Sequence, residues 1–167
     1  SNPDTRVATE QWRMLSEFLD TTCQGSDIVF SGDVNARGGV PQSVEEESVL
    51  GKYGEIHARS YNDKCFVEFL LRHELVSLVG QRRERARQSG IVYSYYQKGG
   101  TGRSVIDTIS VSKSMFCKGD HATVVPYTLT GRESHNPVVS NVRVHRSFRP
   151  RKYARGQVVM RRDLRLL

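Results

Sequence analysis

The chain has 167 residues, of which 25 are lysine or arginine and 18 are aspartate or glutamate, for a formal net charge of +7. That length fits one domain with a core of its own, and 37% apolar residues with 14 glycines exclude wholesale disorder and collagen. No apolar run approaches the roughly 20 residues of a membrane helix. Ser1-Asn2-Pro3-Asp4 also lacks the basic and then apolar pattern of a signal peptide, so a soluble intracellular protein with no membrane partner is expected.

In chain order, Thr9-Glu10-Gln11 reads as a helix start. Trp12, Leu15, Phe18 and Leu19 follow at three- and four-residue spacing, predicting a helix from about Thr9 to Thr22. Gly25-Ser26 ends it, and Asp27-Ile28-Val29-Phe30-Ser31 predicts a buried strand running into Gly32-Asp33. From Arg37 to Glu55, Gly38-Gly39, Pro41 and the acidic run Glu45-Glu46-Glu47 predict a long loop. A second helix is predicted from a cap at Asn62, with Phe66, Phe69, Leu70 and His73 on one face. Strands are then expected at Leu75–Val79, Ile91–Tyr96, Ser104–Ser112, Ala122–Leu129 and Pro137–Val144. This order of elements favours an α+β fold with an antiparallel or mixed sheet over a doubly wound parallel one.

The charge is unevenly placed. From His145 to Leu167 stand eight basic residues (Arg146, Arg149, Arg151, Lys152, Arg155, Arg161, Arg162 and Arg165) against the single acid Asp163, so the rest of the chain is neutral. Residues 1–144 therefore read as the domain and residues 145–167 as a basic tail. Such a tail either binds nucleic acid through phosphate contacts, without reading sequence, or serves as a solvated linker. The cluster Arg82-Arg83-Glu84-Arg85-Ala86-Arg87 is either a phosphate-facing loop or a solvated turn. Cys23, Cys65 and Cys117 have no C-x-x-C spacing and read as buried free thiols. The five histidines have no zinc-binding helical spacing, so a metal would have to be held by oxygens.

Three places carry candidate chemistry. Asp33 and Asn35 in Gly32-Asp33-Val34-Asn35 would point the same way on an extended strand, offering a carboxylate and an amide to one ligand. Asp107 falls on the same strand face as Val105, Ile109 and Val111, where an unpaired charge is costly and needs a cationic or hydrogen-bonding partner. His135, ahead of Pro137-Val138-Val139, becomes a general acid, a general base or a phosphate-holding group if Asp107 orients it.

Six segments together resemble a known family. Ser31-Gly32-Asp33-Val34-Asn35-Ala36-Arg37, Gly51-Lys52-Tyr53-Gly54, Asn62-Asp63-Lys64-Cys65-Phe66-Val67-Glu68-Phe69, Leu75-Val76-Ser77-Leu78, Gly102-Arg103-Ser104-Val105-Ile106-Asp107 and Ser134-His135-Asn136-Pro137-Val138-Val139 stand in this order. The chain resembles the endonuclease/exonuclease/phosphatase superfamily, and within it the apurinic-endonuclease-like domain of LINE-type non-LTR retrotransposons. The resemblance covers about residues 1–144 and implies part of a four-layer α/β sandwich of the DNase I-like kind, with the N-terminal strands absent. It implies a metal-dependent phosphodiesterase in which Asp33 orients or deprotonates the attacking water and Asn35 binds the scissile phosphate. Asp107 would orient His135 against a phosphate oxygen.

Two departures from the family pattern bear on activity. Ser134 stands where the family has a metal-binding Asp, leaving Glu133 and Ser134 as the candidates near that place, and the family's N-terminal Asn, Glu and Tyr have no counterpart here. Mg²⁺ (or Mn²⁺) is the cofactor expected of an active chain, and none of an inactive one. The resemblance therefore leaves an impaired nuclease beside a non-catalytic descendant serving in a larger assembly such as a ribonucleoprotein. A partner protein or second copy would cover the incomplete sandwich, and a nuclear or mitochondrial location fits the tail. A small nucleic-acid-binding domain with incidental Asp33 and His135 is the reading outside the family.

Overall fold

Trp12, Leu15 and Leu19 share one side of the first helix, α1, which spans Pro3–Thr22 in the computed structural model. The structure describes residues 3–55, 57–81, 93–97, 102–125 and 135–142. The helix starts six residues before the predicted Thr9 because proline suits the first helical position, where its missing N–H would be unbonded anyway. Phe18, placed with the inward residues by spacing, is instead exposed, as are Val7 and Met14. The inward face packs on α3 (Tyr61–Arg72), with the Trp12 ring 5.7 Å from Phe66 and 5.0 Å from Phe69.

The predicted strand 27–31 is β1 (Val29–Asp33), shifted by two residues so that Asp33 closes the strand rather than following it, and it is not buried as expected: only Phe30 is half-buried and the other four residues are exposed. The expected long loop holds a short helix, α2 (Val44–Leu50), which Ser43 caps by accepting the Glu46 N–H. The acidic run thus lies in the first turn of a helix, where the backbone dipole favours negative charge. Arg59 grips Glu46 with two hydrogen bonds of 2.9 and 2.8 Å, and that guanidinium holds the Glu46 carboxyl below its ordinary range. After α2 the chain passes Gly51 and Gly54 at very close quarters. A Cβ on Gly54 would stand 1.9 Å from the Gly39 carbonyl oxygen, and one on Gly51 would stand 2.6 Å from that of Gly80.

The cap of α3 is Ser60, not Asn62. Ser60 and Asp63 form a reciprocal capping box, which leaves the Asn62 side chain to bond elsewhere. Short strands follow: β2 (Leu75–Ser77), β3 (Tyr95–Tyr96), β4 (Arg103–Ser104), β5 (Asp107–Ser112), β6 (Ala122–Val124) and β7 (Val138–Ser140). The predicted strand 104–112 is broken between β4 and β5, where the buried Ser94 hydroxyl accepts hydrogen bonds from the N–H groups of both Ile106 and Asp107.

Mixed helix and antiparallel sheet make this an α+β fold. The main sheet has the order β1-β5-β2, and β3-β4 and β6-β7 are separate antiparallel pairs. The register pairs Phe30 and Ser77 with Ser110, placing these three on the face toward α1 and α3, where Phe30 meets Phe69 at 5.5 Å. On that face Ser77, Thr108 and Ser110 are buried, and their hydroxyls bond to one another. The opposite face carries Asp107, Ile109 and Val111 and packs on the β6-β7 pair through Met115, Ala122 and Val138. Among the described residues the order β1-β5-β2 makes β1 an edge strand.

Several expectations fall outside the described residues: the basic tail with Arg146, Arg149, Arg151, Lys152, Arg155, Arg161 and Arg162, the Arg82–Arg87 cluster, Glu133 and Ser134, and parts of the strands predicted at 91–96, 122–129 and 137–144. The three cysteines are free, and half-buried rather than buried. Among the described residues no helix is long and apolar enough to cross a membrane.

His73 closes α3 with its side chain only 7% exposed, and its Nε2 atom is buried with no hydrogen-bond partner among the described residues. Burial lowers its pKa below the ordinary 6.5, outweighing the pull of Asp20 in the other direction. The unfolded chain therefore binds this proton more readily, and the stability held with a neutral ring above pH about 6.5 falls as the pH drops through the folded value. Thermal melts from pH 7.5 to 5 are expected to show a steeper loss for the native chain than for His73→Phe. Parallel curves would remove His73 as the cause.

Candidate functional site

Asp33 and Asp107 stand directly opposite each other on neighbouring strands. Backbone hydrogen bonds join residue 34 to 106 and residue 28 to 112, so Asp33 and Asp107 occupy a non-hydrogen-bonded position of the ladder, where side chains come closest. Two like charges at such a position repel unless something positive or proton-donating lies between them. His135 does so. Its Nδ1 lies 3.1 Å from Asp107 Oδ2, and its Nε2 lies 3.8 Å from Asp33 Oδ2. Asp107 therefore has the partner that its place beside aliphatics demands, although Val105 lies outside the strand.

The imidazole is fixed from several sides. The Asn136 N–H donates to the Ser94 carbonyl at 2.6 Å, and the Asn136 amide donates to the Tyr93 carbonyl at 2.8 Å. Residue 95 pairs with His135 in an isolated bridge, and the Tyr95 ring lies 5.0 Å from the imidazole. Beyond Pro137 the chain enters β7. Ser94 thus braces the beginning of β5 with its hydroxyl and the histidine segment with its carbonyl. These groups border an open cleft of about 430 Å³ whose walls include Asp33, Asp107, Thr108, His135 and Val138. The side chains of Asp33 and His135 are 40% and 38% exposed, within reach of a ligand, whereas Asp107 is at 19%.

Asn35 is placed differently. The strand ends at Asp33, and Asn35 adopts a left-handed backbone with φ of 48° while its N–H donates to Asp33 Oδ1 at 2.9 Å. The strand alternation that aligned the two side chains does not extend to this Asx-type turn, and Asn35 is not among the residues lining the cleft. The turn is held from behind by α3. Asn62 donates its amide to the carbonyls of Val34 and Asn35 and accepts from the Trp12 indole at 2.7 Å, and Asp63 accepts the Arg37 N–H at 2.6 Å.

Ser94, Asn62 and Asp63 were not singled out as site supports from the sequence. The Ser60-x-x-Asp63 spacing, passed over in favour of a cap at Asn62, is a signal that could have marked Asp63, but nothing local marks Ser94, whose role depends on contacts with residues 106, 107 and 136.

Among the described residues, the carboxylates of Asp33 and Asp107 and the ring of His135 form a group able to hold a metal ion, with one candidate ligand atom from each lying within 4.8 Å of the others. Comparison of the chain with protein-family models, with curated proteins and with solved structures finds no match.

Proposed function

We propose that the chain is a phosphodiesterase-type hydrolase domain acting on nucleic acid, built as part of a DNase I-like four-layer sandwich. The observation that carries this reading is the convergence of Asp33, Asp107 and His135, distant in sequence, on one accessible cleft. Asp33 at the cleft wall orients or deprotonates the attacking water, while Asn35, which does not line the cleft, has no direct part in it. Asp107 holds the His135 ring through Nδ1, so that Nε2 meets a phosphate oxygen either directly or through a bound ion. A divalent cation, when bound, supplies Lewis-acid stabilisation of the charge developing on that phosphate. The basic tail adds phosphate contacts without sequence preference.

The reading predicts cleavage of a supercoiled plasmid or a labelled abasic duplex when divalent cation is present, with Asp33→Ala and His135→Ala each reduced about 100-fold or more. Equal cleavage by the native chain and both variants would assign the activity to something other than this cleft.

A non-catalytic subunit of a larger assembly is the second reading. It is favoured by the outer edge of β1, unpaired among the described residues, where the backbone groups of Val29, Ser31 and Asp33 face away from β5 and Val29 is half-exposed. A partner strand from another protein or a second copy would pair along that edge.

A further inference from the structure

We propose that α1 pairs antiparallel with α1 of a second copy of this chain, along the stripe Val7, Gln11, Met14 and Phe18. The pairing uses none of the cleft residues and is independent of the hydrolytic reading.

Three large apolar side chains of this one helix are exposed: Val7 at 57%, Met14 at 58% and Phe18 at 54%. Singly such residues need no explanation. These recur with Gln11 at intervals of four, three and four residues, which is the spacing of a two-helix seam. At 3.6 residues per turn they form one line along α1, roughly 120° round the helix from Trp12, Leu15 and Leu19, which pack toward α3. The helix thus carries two apolar faces, and among the described residues only the second is covered. Methionine and phenylalanine are also side chains that protein interfaces favour.

Charge selects the occupant. Along one flank of the stripe stand Arg6, Glu10, Arg13 and Glu17, all exposed. Their signs alternate, and reading the row backwards exchanges plus for minus. A second α1 laid antiparallel across the stripe sets this flank against itself, so that Arg6 of each copy comes beside Glu17 of the other, and Glu10 beside Arg13. A parallel pair would instead set the flank against the side of Ala8 and Leu15, where no charge meets it. Within each helix Arg13 already holds Glu10 by hydrogen bonds of 2.9 and 2.6 Å and also bonds Glu17, which lowers the side-chain freedom lost on pairing.

Two-fold symmetry closes the assembly at two copies. A helix of 20 residues is about 30 Å long, so the interface is small and the dimer weak, with a dissociation constant on the order of 10 to 100 μM.

The test is sedimentation equilibrium of the full chain from about 10 to about 300 μM at low ionic strength. A monomer–dimer equilibrium is expected, weakening as salt is added. Met14→Glu is expected to weaken it at least about 10-fold by placing a charge in the seam. Arg6→Glu and Glu17→Arg are each expected to weaken it about 3- to 10-fold, since each change acts twice across the two-fold axis. The double variant Arg6→Glu with Glu17→Arg restores opposite signs only in the antiparallel pair, and should return to within a factor of about three of the native chain. All three positions are exposed, and circular dichroism and thermal melts verify that each variant is folded. A native chain that stays monomeric throughout, a folded Met14→Glu variant as dimeric as the native chain, or a double variant no stronger than the single ones would each overturn the proposal. A monomeric native chain whose melting temperature falls in Phe18→Glu would overturn it too, by placing another segment of the same chain on the stripe.

Discussion

Asp63→Ala is expected to destabilise the domain by about 3 kcal/mol, because it removes a buried acceptor from several partly buried donors at once. The carboxylate is buried and receives the N–H groups of Arg37 and Ser60, each at 2.6 Å, with His57 Nε2 at 3.2 Å. Burial alone would oppose its ionisation. The hydrogen bonds donated by Arg37, Ser60 and His57 outweigh that effect and hold the carboxyl below its ordinary value of 3.8. The stability it contributes is therefore present above that pH and lost on acidification through the lower folded value. For a chain of this size the loss corresponds to a melting temperature lower by about 6 to 12 °C. Ser60→Ala, which removes only the cap hydroxyl, should cost about 1 kcal/mol. Equal small losses in the two variants, read from chemical denaturation, would show that Asp63 does not tie the 33–37 turn to α3.

That tie also shows where the sequence was legible and where it was not. The amphipathic spacing of Trp12, Leu15 and Leu19 and the apolar runs of β2 and β5 mark the elements whose burial is one-sided or complete, and these elements form close to where pattern alone puts them, whereas the apolar run at β1 forms a strand that stays largely exposed. Phe18 escapes the same rule because it lies at the rim of the apolar stripe and no described element covers it. The helix α2 was masked by Gly38, Gly39 and Pro41 just before it, although Ser43-x-x-Glu46 carries the spacing of a helix start.

At the site, Asp107 could be singled out because a carboxylate on an apolar strand face demands a partner. The identity of that partner as His135 was visible only as an expectation. The direct opposition of Asp33 and Asp107 depends on strand register, which no local motif encodes. Asn35 illustrates the converse: alternation predicts a shared direction with Asp33, but the short Asp side chain captures the Asn35 N–H and turns the chain.

The largest effect on function is expected at the Asp107–His135 pair. If the ring acts through its second nitrogen, its value depends on Asp107 fixing the first, and the two residues behave as one unit rather than as independent contributors. His135→Ala is expected to lower the cleavage rate by roughly 100- to 1000-fold, which is the usual range for losing a positioned acid–base or charge-stabilising group. Asp107→Ala should leave a ring of undirected tautomer and lose nearly as much. Once His135 is gone, removing Asp107 as well should change little. The buried side of the same sheet, with Ser77, Thr108 and Ser110 bonded among themselves, is untouched by either substitution, so fold stability provides the control.

The central claim is that Asp107 and His135 work as one unit of a hydrolytic centre, and a double-mutant cycle in plasmid cleavage tests it most directly. Single-turnover rates would be measured in Mn²⁺ for the native chain, Asp107→Ala, His135→Ala and the double variant, each verified as folded. The account predicts metal-dependent cleavage by the native chain and a double variant no slower than His135→Ala within a factor of about three. Fully multiplicative losses, or no cleavage by the folded native chain, would contradict it.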